Sequence, residues 1–179
     1  MKRISVEDRR VWVTGASSGI GRAVTIELAR RGARVVASAR NAAALEVLVE
    51  ACGDRVVALP LDVTDREANH RAVEEISRRL GGLDIAFFNA GTCEYVDMTK
   101  FDSAIFERTI RTNFLSIVYG IEAALPLLRH SPAAQLVGMS STVAYRGLPR
   151  AEAYGASKAA IRNLFQSLQI DLSREAIRV

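Results

Sequence analysis

Short runs that are apolar almost throughout alternate along this chain with longer stretches whose apolar residues recur every three to four positions. Arg10–Thr14, Arg34–Ser38, Val56–Leu59, Leu83–Phe88 and Gln135–Met139 are the short runs. Their β-branched content and their Gly, Asn and Asp boundaries predict five strands. The longer stretches predict helices over about Gly19–Arg31, Ala42–Ala51, the region from Thr64 to Leu80, Ser103–Leu128 and Glu152–Ser173. Gly32 and Gly81-Gly82 stop two of them, and Asn41 is placed to cap another. Strands with no polar face, separated by helices, predict an α/β fold: a Rossmann-like doubly wound parallel sheet with helices on both faces. The six-stranded form of that sheet has the order 3-2-1-4-5-6. Ile177-Arg178-Val179 reads as the opening of the sixth strand, so the expectation is a single domain over 1–179 that is incomplete at its C-terminal edge.

Composition narrows the function classes. The chain of 179 residues is 49% hydrophobic and 25% charged, the balance of a globular domain with a substantial core. The net charge of +4 is carried by scattered arginines rather than an aromatic-interleaved basic patch, so no nucleic-acid partner is expected. Asn113–Leu128, the most apolar stretch, contains Glu122 and Pro126 and is too short for a bilayer, so no membrane partner is expected either. Cys52 and Cys93 are far apart and only His70 and His130 accompany them, which argues against a metal and fits a reducing cytoplasm.

Chemistry enters at the first turn. Thr14-Gly15-Ala16-Ser17-Ser18-Gly19-Ile20-Gly21 joins the first strand to the first helix. Glycines there let a pyrophosphate approach the backbone, and the helix start aims free N–H groups at it. At the end of the second strand a carboxylate would bind the 2′-hydroxyl of NAD, whereas an arginine accepts the 2′-phosphate of NADP. The sequence has Ser38-Ala39-Arg40, which favours NADP(H) and leaves NAD as the alternative.

Farther along, Tyr154 and Lys158 stand at i,i+4 spacing on one face of the last helix. A free phenol titrates near about 10, and a neighbouring ammonium favours its ionised form, which suits proton exchange with a carbonyl or an alcohol.

The spacing T-G-x-x-x-G-x-G, followed in order by Asn89-Ala90-Gly91 and Tyr154-x-x-x-Lys158, resembles the short-chain dehydrogenase/reductase family over essentially the whole chain. The resemblance implies a hydride-transferring oxidoreductase acting on a small carbonyl or secondary alcohol. It implies that Thr14, Gly15, Ser17, Ser18, Gly19, Ile20 and Gly21 form the cofactor turn. Asp62 and Val63 would contact the adenine ring, and Asn89, Ala90 and Gly91 would pack behind the cofactor. Tyr154 would be the general acid/base, and Lys158 would hold the nicotinamide ribose. Ser141 matches the substrate-orienting serine, with its neighbour Ser140 ranked second, and Asn113 matches the asparagine that anchors a water on the proton path. The basic residue that many NADP-dependent members carry inside the turn is Ser18 here.

Three further expectations follow. Ile105, Phe106, Ile110, Phe114, Ile117, Val118, Ile121 and Leu125, with Leu164, Phe165 and Leu168, give the helices around 103–128 and 152–173 more apolar surface than one sheet face needs. Family members pair through these helices, so a homodimer or homotetramer is expected. The family's substrate-closing segment follows the sixth strand, so a 179-residue chain is expected to bind adenine nucleotides weakly and turn over little. A non-catalytic nucleotide-binding module is the rival reading. An extended epimerase or dehydratase is disfavoured by the glycine spacing.

Overall fold

The computed structural model describes residues 5–179. Five parallel strands, β1 (Arg10–Thr14), β2 (Arg34–Ala39), β3 (Val56–Pro60), β4 (Ile85–Phe88) and β5 (Gln135–Gly138), form one sheet in the order β3-β2-β1-β4-β5. The helices are α1 (Gly19–Arg30), α2 (Ala42–Cys52), α3 (Arg66–Leu80), α4 (Ser103–Ile110), α5 (Ser116–Leu128) and α6 (Glu152–Asp171). The winding reverses between β1 and β4, so the loops leaving those strands part at the C-terminal edge of the sheet. In this architecture that crevice is where ligands bind.

Side-chain alternation along the strands divides the core in two. Val11, Val13, Val35, Ala37 and Val56 face one side with Leu45 and Leu48 of α2 and Ala29 of α1. Trp12, Val36, Ala86, Phe88 and Leu136 face the other, where α3, α5 and α6 supply Ile76, Ile117, Ile121 and Ile161. Trp12 is wholly buried, meets Phe88 edge-on at 5.7 Å and donates its indole N–H to Ser38 Oγ at 3.0 Å. The polar handle of a buried tryptophan is thus satisfied inside the sheet.

Opposite the crevice, Asp84 stitches the strand starts together. Its carboxylate accepts from the Arg10 backbone N–H (2.9 Å), from the Arg10 guanidinium (3.0 and 2.6 Å) and from Ser131 Oγ (2.6 Å). Despite burial, these donors hold Asp84 down to about 2.

Several boundaries differ from the sequence-based ones. β4 begins at Ile85 rather than Leu83, although the Asp84 backbone still bonds to both neighbouring strands, donating to Arg10 O (2.9 Å) and accepting from Gln135 N–H (2.8 Å). α6 ends at Asp171 and tightens into a 3-10 turn over Leu172–Glu175. The expected single helix over Ser103–Leu128 is interrupted by a π turn over Arg111–Leu115, centred on Asn113. Ile177–Val179 reaches the outer edge of β5. There Leu136 N–H donates to Arg178 O (2.8 Å) and Arg178 N–H to Ala134 O (2.9 Å), a parallel bridge where a sixth strand is expected. No helix among the described residues is long and apolar enough to cross a membrane.

Candidate active site

A cavity of about 610 Å³ follows the C-terminal edge of the sheet, within the size range of small-molecule sites. Ser17, Ser18, Gly19 and Ile20 line its near wall, with Gly15 at the turn; Arg40, Asp62 and Val63 line one end, and Asn89, Ala90, Gly91, Tyr154 and Lys158 line the other. Residues widely separated in sequence meet here because the parallel strands all end on the same side.

The turn itself is built by two kinds of glycine. A side chain on Gly15 would press within 2.8 Å of Ala90 Cα, and one on Gly21 would overlap the Gly15 carbonyl and Asn89 Nδ2. These two let the loop after β4 close against the loop after β1. Gly15 and Gly19 both have a positive φ (+68° and +52°), but nothing lies within 4 Å of where a Cβ on Gly19 would be, so its open side belongs to the cavity. Ser18 precedes α1 without a side-chain cap, which leaves the helix N-terminus to an anion.

Thr14 and Gly21 are not on the cavity wall. Thr14 is buried behind it, where its Oγ accepts the Asn89 N–H (3.1 Å) and the Ala90 N–H (3.2 Å). Asn89 Nδ2 donates back to the Thr14 and Gly15 carbonyls at 3.3 Å each. Both residues shape the turn from behind the wall.

At the far end of β2, Arg40 is exposed on the cavity rim and forms no ion pair with a described residue. Asp62 accepts from Thr64 N–H (2.9 Å) and Thr64 Oγ (2.8 Å). The Thr64 N–H, with the Thr64 hydroxyl and the Arg40 charge assisting, holds its carboxyl below the usual range.

At the opposite end, Lys158 is 4% exposed and donates to the Met139 carbonyl at 2.8 Å. Burial pushes its ammonium below the ordinary lysine range. Its Nζ lies 5.6 Å from the centre of the Tyr154 ring. Asn113 is wholly buried, and its side chain is bound to Thr92 and Ser157 rather than facing the cavity.

Ser141, like Asn113, does not line this cavity. It opens an adjoining hollow of about 390 Å³ beside Tyr145 and Arg162, and its Oγ accepts from Val143 N–H at 3.3 Å. Ser140 lines the same hollow but gives its hydroxyl proton to the Lys158 carbonyl at 3.0 Å. Of the wall residues, Thr92, Cys93, Thr112 and Met139 carry no chemical signature in the sequence; only their nearness to Asn89-Ala90-Gly91, to Asn113 or to the end of β5 points to them.

The sequence model of the short chain dehydrogenase family matches residues 9–179. The chain belongs to the short-chain dehydrogenase family. An uncharacterized oxidoreductase of Myxococcus xanthus is 36% identical over 174 residues, covering 96% of this chain and 69% of that protein. The uncharacterized oxidoreductase YghA of Escherichia coli is 35% identical over 97% of this chain and 60% of its own length. Among solved structures, a Sinorhizobium meliloti protein assigned as a short-chain alcohol dehydrogenase superposes with a TM-score of 0.91 at 34% identity, covering 98% of this chain and 71% of that one. Short-chain dehydrogenases are oxidoreductases that use a nicotinamide nucleotide on small molecules. The cavity suits such a cofactor, since it joins an open glycine at a helix N-terminus to a buried lysine at its other end.

Proposed function

We propose that the chain is an NADP(H)-dependent oxidoreductase acting on a carbonyl or secondary alcohol, with Tyr154 as general acid/base. The observation that carries this reading is the single cavity that has Gly19 and Arg40 on one wall and Tyr154 and Lys158 on another. Arg40 is the residue for the 2′-phosphate: exposed, cationic and at the end of β2. Asp62 and Val63 take the adenine, and Ser17, Ser18, Gly19 and Ile20 the pyrophosphate. When bound, the nicotinamide cofactor supplies or accepts the hydride.

The remaining chemistry falls to the chain. Tyr154 gives a proton to the carbonyl oxygen, or takes one from the alcohol. Lys158, fixed by the Met139 carbonyl, keeps two ammonium hydrogens for the ribose and for the phenol side of the site. Ser141 orients the substrate oxygen, since its own hydroxyl proton is free of the bond that ties up Ser140. Asn113, in the π turn with its side chain bound to Thr92 and Ser157, is the residue assigned to anchor a water on the proton path.

The single dinucleotide-binding unit is expected to self-associate through α4, α5 and α6, and its two free thiols fit the cytoplasm. Tyr154→Phe tests the assignment. Stopped-flow NADPH oxidation over a carbonyl panel is expected to fall at least a thousandfold, with NADPH affinity within about twofold of the parent. Near-normal rates would overturn the role of Tyr154. Nucleotide binding without turnover on any carbonyl by a longer chain that carries a substrate-closing segment would favour a non-catalytic binding module.

A further inference from the structure

The substrate end of the cavity is held together by a hydrogen-bonded clasp that spans three segments of chain. Asn113 Oδ1 accepts the Thr92 N–H at 2.7 Å, and Asn113 Nδ2 donates to the Thr92 carbonyl at 2.9 Å. The other Nδ2 hydrogen goes to Ser157 Oγ at 2.9 Å, and Ser157 passes its own hydroxyl hydrogen to the Tyr154 carbonyl at 2.7 Å. Both amide hydrogens and the one hydroxyl hydrogen are thereby used, with Asn113 and Ser157 each wholly buried.

A serine inside a helix commonly bonds back to a carbonyl one turn earlier. The bond arriving from Asn113, on a different element, goes beyond that local habit. It ties the π turn to the stretch of α6 that carries Tyr154 and Lys158, while the same amide grips the wall loop at Thr92. Room is tight: a side chain on Gly91 would come within 3.2 Å of Asn113 Oδ1 and 3.5 Å of Lys158 Nζ.

We propose that Ser157 is a positioning residue that sets Tyr154 and Lys158 against the Thr92 wall through Asn113. The proposal rests on the assignment of Tyr154 and Lys158 above. It makes the register between α6 and the loop after β4 depend on one hydroxyl.

Amide hydrogen exchange on the full chain tests it directly. Ser157→Ala is expected to lower the protection of the Thr92 N–H at least tenfold, although Thr92 lies on another segment, and to leave Val13 in β1 within about twofold. NADPH affinity, read by fluorescence, is expected to weaken about fivefold in Ser157→Ala and in Asn113→Ala. The double variant is expected to be no weaker than the poorer single one, since both break one clasp. Ser157→Thr, which keeps the hydroxyl, is expected to restore Thr92 protection. Should Ser157→Ala not fold, Ser157→Cys preserves the volume and replaces the hydroxyl with a weak donor, and the same selective loss at Thr92 is expected. Unchanged Thr92 exchange, or an equal loss across the whole sheet, would overturn the proposal. If the parent chain fails to bind NADPH, the cofactor assignment fails while the exchange measurement still reports on the clasp.

Discussion

Each wall of the cavity depends on a few side chains whose contributions separate cleanly. Arg40 faces solvent and pairs with no described residue, so replacing it should cost the fold little. Arg40→Ala is expected to narrow the preference for NADPH over NADH by roughly 1–3 kcal/mol, the range of a charge-assisted hydrogen bond. Calorimetric titration of both nucleotides into both proteins measures this, and an unchanged ratio would remove Arg40 from the phosphate site. Lys158 is the opposite case, buried and desolvated, so Lys158→Ala should weaken both nucleotide binding and turnover. A change confined to thermal stability would make it structural. The glycines divide in the same way. Gly21→Ala meets backbone and Asn89, and is expected to cost about 1–3 kcal/mol in stability through overpacking. Gly19→Ala meets nothing within the chain; it bears the roughly 1–2 kcal/mol penalty of a left-handed residue and is expected to lose most of its nucleotide affinity. Nucleotide titrations on the pair should therefore separate them, with Gly19→Ala the weaker binder, while thermal melts show both destabilised.

Among the elements, the strands and their order were legible because a buried parallel sheet leaves a plain mark: runs such as Val11-Trp12-Val13 with no polar face. The turn at Gly15–Gly21 and the Tyr154–Lys158 spacing were equally plain, since both are local in sequence. The π turn was not. Phe114, Ile117, Val118 and Ile121 keep a helical rhythm straight through Arg111–Leu115, and one extra residue in a turn hardly disturbs it. Nor could periodicity divide the apolar residues of that helix between core and surface; Ile117 and Ile121 are buried within the chain, and Ile105, Phe106, Ile110 and Val118 are half-buried. The tie between Asp84 and Arg10 was also hidden, because the two residues are distant in sequence and their pairing is made by the sheet. That tie sets an acid limit. Asp84 sits at about 2 in the fold against an ordinary 3.8, so its contribution is complete above that ordinary value. It is lost as pH falls from there through about 2, amounting to roughly 2 kcal/mol. Asp84→Asn is expected to lower stability near neutrality and to flatten the decline over that acid interval, as denaturant titrations at several pH values would record. A decline as steep as the parent's would place the acid sensitivity elsewhere.

For the whole molecule, the covering of the sheet leaves a testable surface. Ile170 on α6 is 74% exposed, and half-buried apolar residues continue along α4 and α5. Light scattering is expected to give a mass of at least two chains, and Ile170→Arg to shift the population toward the monomer without changing the melting temperature by more than a degree or two. A monomeric parent would remove that interface. The strand order has a consequence for synthesis. Val13 of β1 pairs with Ala37 on one side and Phe87 on the other. A ribosome delivers the first neighbour early and the second only after α2, β3 and α3 have emerged. Until then the inner edge of β1, whose Val11, Trp12 and Val13 finish wholly buried, is an unpaired edge on a nascent chain, the kind of surface that chaperones shield. The centre of the sheet, not its rim, is therefore the part of this protein that waits longest to be enclosed.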